Sequence, residues 1–262
     1  ELHRYQGATN LYRIVMFYSD EEYYADREFL TNSSLKLLHK SPVQFYQWLT
    51  NTGGNQSTTA LEVGKAFHAL CLEDVVNFVG YDGTRRGKEY LQFCEQNDGK
   101  IVLSKKDADM IYAMQNVLMK TPQVVELMYN KDDEQLTELP AISEWDGIPI
   151  KGKADMVVEK NFEPAYLVDL KTTGGTLEEF RRSAKYMHYD QQAAIYCKLF
   201  DVDTFYFVAI TKTYPYEVGI YKCSPQFLQQ GAIKAQEAID KYKRLFLNNK
   251  FNPYNAAEIG VL

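Results

Sequence analysis

The hydrophobic period of this chain changes near its middle, and that change restricts the folds open to it. Up to about residue 130 apolar side chains recur every three or four positions, as on helices with one buried face. Asn32 and Ser33 are placed to cap a helix carrying Leu35, Leu37 and Leu38, and Ser41-Pro42 opens another with Phe45, Tyr46 and Trp48. Thr59-Ala-Leu-Glu62 reads as a capping box for a helix reaching about Glu73. Further helices are expected at about 88–97, 105–120 (capped by Ser104) and 122–129. From Ile148 the period is that of strands: Ile148 to Val158 and Tyr166 to Lys171, with a polar turn at Glu159 to Pro164. Helices at about 176–186 and 189–200 follow. Strands Phe205 to Ile210 and Val218 to Tyr221 then flank a turn near Tyr214-Pro215, and a last helix runs from Pro225 to Phe246. This order predicts one mixed α/β domain over 1–262, helical at about 30–130 with a sheet core at about 138–246. The acidic, aromatic stretch 18–28 and the segments Thr50–Ser57 and 80–88 read as surface and loops.

Composition narrows the function classes. An apolar fraction of 45% in 262 residues excludes a disordered or fibrous chain. No run approaches the 18 or so apolar residues of a membrane span. Ile14 to Tyr18 is too short for a signal-peptide core, so a cytoplasmic setting is expected. The chain opens on Glu1 rather than Met, which fits either a processed precursor or a piece of a longer chain. Cys71, Cys94, Cys197 and Cys223 form no C-x-x-C pair, which favours buried, reduced thiols over a zinc or iron–sulfur site.

The chemistry concentrates in Gly152-Lys-Ala-Asp155 and Val168-Asp169-Leu170-Lys171. Residues two apart on a strand share a face, so Asp169 and Lys171 project together, and an antiparallel neighbour can bring Asp155 beside them. Paired carboxylates suit Mg²⁺ or Mn²⁺, and a lysine next to such an ion can orient an attacking water. The ordinary alternative for a bare D-x-K is a surface ion pair. Against it stands the apolar run Tyr166 to Leu170, which implies burial, and a buried carboxylate needs compensation. His68 lies mid-helix, one turn after Gly64; it is either a satisfied core histidine or a ligand, and Gly64 implies a close approach there. Gln192 and Tyr196 share a helix face, for which packing suffices. No P-loop, G-x-S-x-G, H-E-x-x-H or G-x-G-x-x-G is present.

Taken together, these residues resemble the PD-(D/E)xK nuclease superfamily, and more closely its phage and prophage RecE-like (exonuclease VIII type) exonucleases. Ser33-Ser-Leu-Lys-Leu-Leu with Ser41-Pro42, Gly64-Lys-Ala-Phe-His68-Ala-Leu-Cys-Leu-Glu73, the Arg85-Arg86-Gly-Lys88 loop, the Glu138 region, Gly152–Asp155, Asp169–Thr173 and Tyr189–Tyr196 occur in family order. The resemblance implies a restriction-endonuclease-like mixed central sheet flanked by helices. It implies one or two Mg²⁺ or Mn²⁺ ions held by His68, Asp155, Asp169 and the Leu170 carbonyl, with Lys171 catalytic and Gln192 and Tyr196 bordering the site. Glu138 is given no role. Arg85 and Arg86, whose forks match phosphate oxygens, and with them Lys88, Thr172 and Thr173, are the expected DNA contacts, though a solvated loop explains the arginines equally well.

The implied activity is 5′→3′ exonucleolytic hydrolysis from double-stranded DNA ends in single-strand-annealing recombination. A ring-shaped homo-oligomer, an annealing protein as partner and a bacterial or phage-infected cytoplasm go with it. A structure-specific or restriction-like endonuclease and a non-catalytic DNA-binding or assembly protein are the alternatives. The net charge of −6 does not oppose DNA. Most of it sits in Asp20–Glu28 and Lys131–Asp146; outside these, 27 basic residues face 24 acidic ones.

Overall fold

The computed structural model describes residues 19–53, 58–248 and 251–255. The stretch Ile14–Tyr18 and positions 54–57 of the Thr50–Ser57 loop lie outside them. Helices α1 (Asp20–Ala25), α2 (Asn32–Lys40), α3 (Pro42–Leu49) and α4 (Thr59–Leu72) come first. Strand β1 (Phe78–Tyr81), α5 (Lys88–Gln96), β2 (Ile101–Ser104), α6 (Lys105–Met119) and α7 (Pro122–Met128) follow. Then come β3 (Glu134–Trp145), β4 (Ile148–Lys160), β5 (Glu163–Thr173), α8 (Leu177–Ser183) and α9 (Tyr189–Phe200). Next are β6 (Phe205–Thr211), β7 (Val218–Lys222) and α10 (Pro225–Leu245), followed by a 3-10 turn at Pro253–Asn255.

The central sheet has the order β3-β4-β5-β6-β7. Its first three strands form an antiparallel meander, β5 and β6 run parallel, and β7 returns antiparallel. A parallel pair needs a crossover, which α8 and α9 supply. Alternation along the strands then sorts the core into two layers. Met156, Val158, Val168, Leu170, Val208 and Ile210 pack with Phe67 and Leu70 of α4 and Ile111 and Met114 of α6. Val157, Leu167, Phe205 and Phe207 face Leu35 and Leu38 of α2, Phe200 of α9 and Ile239 of α10. This is the mixed central sheet flanked by helices that the family resemblance implies. Among the described residues no helix is long and apolar enough to cross a membrane.

Departures from expectation have local causes. Strand β3 falls in the acidic stretch before Asp146; as an edge strand it tolerates Pro140 and charge, which blurs its alternation. Four-residue β1 and β2 form a separate parallel pair, so the helical part is not wholly helical and the basic loop starts after Tyr81. The β4–β5 turn is only Asn161-Phe162, both at positive φ, a primed hairpin turn matched to strand twist. The cap of α2 is Thr31, in a reciprocal pair with Ser34, and the cap of α4 is Thr58 rather than Thr59. In the acidic segment Glu21, Glu22 and Glu28 are exposed, Asp26 and Arg27 are half-buried, and Tyr23 is buried with its carbonyl accepting from Lys151 Nζ at 2.6 Å. All four cysteines are free; Cys71, Cys197 and Cys223 are buried as expected, whereas Cys94 is half-buried.

Two glycines set helix α9. A Cβ on Gly152 would lie 2.6 Å from Leu199 Cδ1, and one on Gly231 would lie 1.9 Å from the Asp190 carbonyl oxygen. Their hydrogens let α9 lie close on β4 and cross α10. The expectation for Gly64 is not met: a Cβ there would have open space around it, so no close approach explains it.

Candidate active site

The site is built where the sheet splits. Strands β4 and β5 are paired as far as Met156↔Val168 and part beyond it, β4 staying with β3 and β5 with β6. Leu170 therefore has no strand partner on its β4 side. Its N–H donates instead to Asp155 Oδ2 at 2.9 Å, and its carbonyl accepts from His68 Nε2 at 2.5 Å. Because Nε2 must donate to that carbonyl, a neutral His68 presents Nδ1 as a lone pair, 3.4 Å from Asp155 Oδ2. Two acceptors facing one another are stable only with a proton or a cation between them.

Glu138 completes this group. The Asp146-Gly147 turn, with both residues at positive φ, sets the register of the β3–β4 hairpin. Thr137↔Met156 and Leu139↔Ala154 are paired, which puts Glu138 opposite Asp155. Glu138 has φ of 50°, so the ladder is interrupted at that position, a strained conformation of the kind that collects at functional sites. Its carboxylate lies 2.6 Å from Lys153 Nζ. Ligand atoms of His68, Glu138 and Asp155 all lie within 4.8 Å of one another.

Asp169 and Lys171 share one face of β5, as their spacing requires. Asp169, 2% exposed, holds Lys171 Nζ at 2.6 Å through Oδ2 and accepts from Gln192 Nε2 of α9 through Oδ1. It lies outside the His68–Glu138–Asp155 group but close enough to act on it. Burial, and then the Asp169 charge, push Asp155 up to about 6. Burial works to lower Lys171, but Asp169 and Asp155 outweigh it and the pKa is raised. Lys171 is thus a fixed positive charge, suited to positioning water and offsetting charge on a phosphate rather than to taking a proton.

The remaining expected residues divide. Tyr196, whose phenol is pushed well up by burial, accepts from the Lys153 N–H and braces β4 two positions before Asp155. Thr172 and Thr173 continue β5 past the site, Thr173 Oγ1 accepting from Gly175 N–H at 3.2 Å. Arg85 is 3.7 Å from Glu62 on the first turn of α4, about 9 Å of helix rise from His68. Arg86 is exposed on the same loop, and Lys88, also exposed, is the first residue of α5 rather than part of the loop. Glu138 had a sequence signal, since a two-residue Asp-Gly hairpin turn dictates its position opposite Asp155.

The donor set fits a divalent ion. Asp155 is a raised, mostly buried carboxylate with no Lys or Arg within ion-pair distance among the described residues, and an imidazole and a second carboxylate stand beside it. Carboxylate oxygens and a neutral imidazole are ligands for Mg²⁺ or Mn²⁺.

A split mixed sheet with D-x-K on its central strand defines the PD-(D/E)xK class of nuclease folds. The chain belongs to the family described as "PDDEXK-like domain of unknown function (DUF3799)", whose model matches residues 31–261. Among solved structures, a candidate exonuclease from Eubacterium rectale shares the fold, with a TM-score of 0.66 over 95% of this chain and 97% of that one at 16% identity. A looser match, SSO0001, has a TM-score of 0.32 at 16% identity over 68% of this chain and 85% of that one. No curated protein matches in sequence.

Proposed function

We propose that this chain is a Mg²⁺- or Mn²⁺-dependent deoxyribonuclease that degrades double-stranded DNA from its ends. The observation that carries the reading is the convergence of His68, Glu138 and Asp155 with the Asp169–Lys171 pair where β4 and β5 part. His68, Asp155 and Asp169, joined by Glu138, are the residues to hold one or two ions, with the Leu170 carbonyl in the same mouth. What such an ion supplies when bound is Lewis acidity toward the phosphate and a more acidic water. Lys171 places positive charge where the phosphate gains negative charge. Gln192 fixes Asp169, and Tyr196 fixes the strand that carries Asp155. Arg85, Arg86, Lys88, Thr172 and Thr173 are the proposed backbone contacts. The 5′→3′ polarity, the ring-shaped homo-oligomer, the annealing partner, the single domain and the cytoplasmic setting rest on the resemblance to RecE-like exonucleases.

The test is nucleotide release from linear duplex DNA with Mg²⁺ or Mn²⁺, against covalently closed circles. Linear DNA is expected to be consumed and circles spared, and Asp169→Ala is expected to abolish release. Cleavage of circles would make the protein an endonuclease on the same metal centre. Activity surviving in Asp169→Ala would sink the site assignment, and inactivity of the native chain on both substrates would favour a DNA-binding or assembly role.

A further inference from the structure

Helix α2 presents one face to the first turn of α9. Asn32 Oδ1 accepts from Gln191 Nε2 at 3.0 Å, and His39 Nε2 lies 2.8 Å from Gln191 Oε1 while its ring stacks on His188 at 4.9 Å. Lys36 is one turn after Asn32 and one before His39 on that face, so contacts on both sides hold its backbone against α9. Its Nζ lies 5.5 Å from the centroid of the Tyr189 ring, and Lys171 Nζ lies 5.3 Å from the same centroid. Two ammonium groups from separate elements thus share one aromatic ring beside the Asp169–Lys171 pair.

Their partners differ. Lys171 is paired with Asp169 at 2.6 Å, and Lys153, on the other side of the mouth, with Glu138 at 2.6 Å. Lys36 has no carboxylate within ion-pair distance among the described residues. It is also partly buried, and burial together with the Lys171 charge lowers its pKa to about 8. Asp169 and Asp190 offset only part of this, since each already has a lysine of its own in Lys171 and Lys234, so an anion arriving beside Lys36 is favoured.

We infer that Lys36 is a substrate-contacting residue that holds a backbone phosphate of the DNA strand being cut, next to the phosphate served by Lys171. This rests on the nuclease reading above. Tyr189 is the shared platform: its ring supports both ammonium groups through cation–π contact and sets the separation between the two phosphate sites. A phosphate at Lys36 supplies the missing counter-charge and fixes the strand relative to the metal ligands without touching them.

The test compares the native chain with Lys36→Met, which keeps the stem on Tyr189, and Lys36→Arg, which keeps the charge. KM and kcat for linear duplex DNA are measured with Mg²⁺ across a series of KCl concentrations. For Lys36→Met, KM is expected to rise about tenfold or more with kcat little changed, the scale of one charge-assisted hydrogen bond. The slope of log KM against log salt should fall by about 0.9, one phosphate contact fewer. Lys36→Arg should restore both. If the native chain cuts DNA and Lys36→Met keeps the native KM and slope, the assignment of Lys36 is overturned and the nuclease reading stands. A changed KM with an unchanged slope assigns Lys36 a packing role and overturns the inference equally. If the native chain cuts no DNA, both fall together.

Discussion

Two groups of buried charge lie against helix α9, and they are built on opposite principles. At its first turn Asp190 is fully buried, yet Lys234 Nζ lies 2.7 Å from one carboxylate oxygen and 3.0 Å from the other, and the Gln191 N–H donates to it at 2.9 Å. Lys234 also donates to the Lys185 carbonyl at 2.8 Å. Beyond the other side of α9, Asp155 has one N–H, a histidine ring nitrogen at 3.4 Å and no Lys or Arg within ion-pair distance among the described residues, and burial followed by a neighbouring carboxylate raises its pKa. The first group is complete within the chain and ties α9 to α10. The second is short of positive charge, which gives it a capacity for a cation that the first lacks. Burial of a charge is therefore no mark of function in this molecule; a buried charge without compensation is.

The comparison breaks most visibly at Asp155. Asp155→Asn keeps the acceptor for the Leu170 N–H and removes the charge. DNA hydrolysis is expected to fall by about 10²–10³-fold, the scale of losing one charge-stabilising group. Thermal stability without added metal should stay level or rise, because a disfavoured charge is gone. Activity within tenfold of native, or a marked loss of stability, would show that Asp155 belongs with the structural charges.

Asp190→Ala should do the reverse. It leaves Lys234 facing a buried gap, and a loss of about 3–5 kcal/mol in urea unfolding is expected. The double variant Asp190→Ala with Lys234→Met should recover part of it. Loss of activity at full stability would place Asp190 in the catalytic machinery instead.

The smallest effect sharpens the contrast inside the structural group. Burial, then the charges of His39, Lys234 and Lys36, push His188 down to about 4. A histidine depressed in the folded state contributes stability above its unfolded value of about 6.5 that is lost as pH falls toward 4. Stability should decline over that window. His188→Asn, a residue tolerant of the left-handed backbone at φ of 57°, should flatten the decline. An equal decline in the variant would place its cause elsewhere.

What the sequence discloses follows where charge breaks an apolar pattern. Asp169 and Lys171 stand out because Leu167, Val168 and Leu170 around them are buried, and their shared face follows from strand geometry alone. The D-x-K strand and its antiparallel neighbour are legible in this way, whereas a ligand role for His68 comes only through the family resemblance. Glu138 was hidden because an edge strand with Pro140 has weak alternation, although the Asp146-Gly147 turn fixes its register. Lys36 was hidden for a different reason. In Ser33-Ser-Leu-Lys36-Leu-Leu it reads as the solvent side of an amphipathic helix, and only the docking of α2 on α9 turns it toward Tyr189. Gly64 misled because a helix glycine suggests crowding, which the structure does not have.

Leu170 belongs to both worlds at once. Its side chain is fully buried in the layer beneath α4 and α6, while its N–H and carbonyl engage Asp155 and His68 in the mouth above. No substitution can remove that carbonyl, so nothing at this position can be read as chemistry from the side chain it carries. A change in the volume of the lower layer, made without altering any charged group, is expected to tilt the peptide that seats two of the ion's proposed ligands. Substitutions that change the size of Val168, Val208 or Ile210 are therefore expected to lower activity by more than they lower thermal stability, and equal losses of both would refute this link.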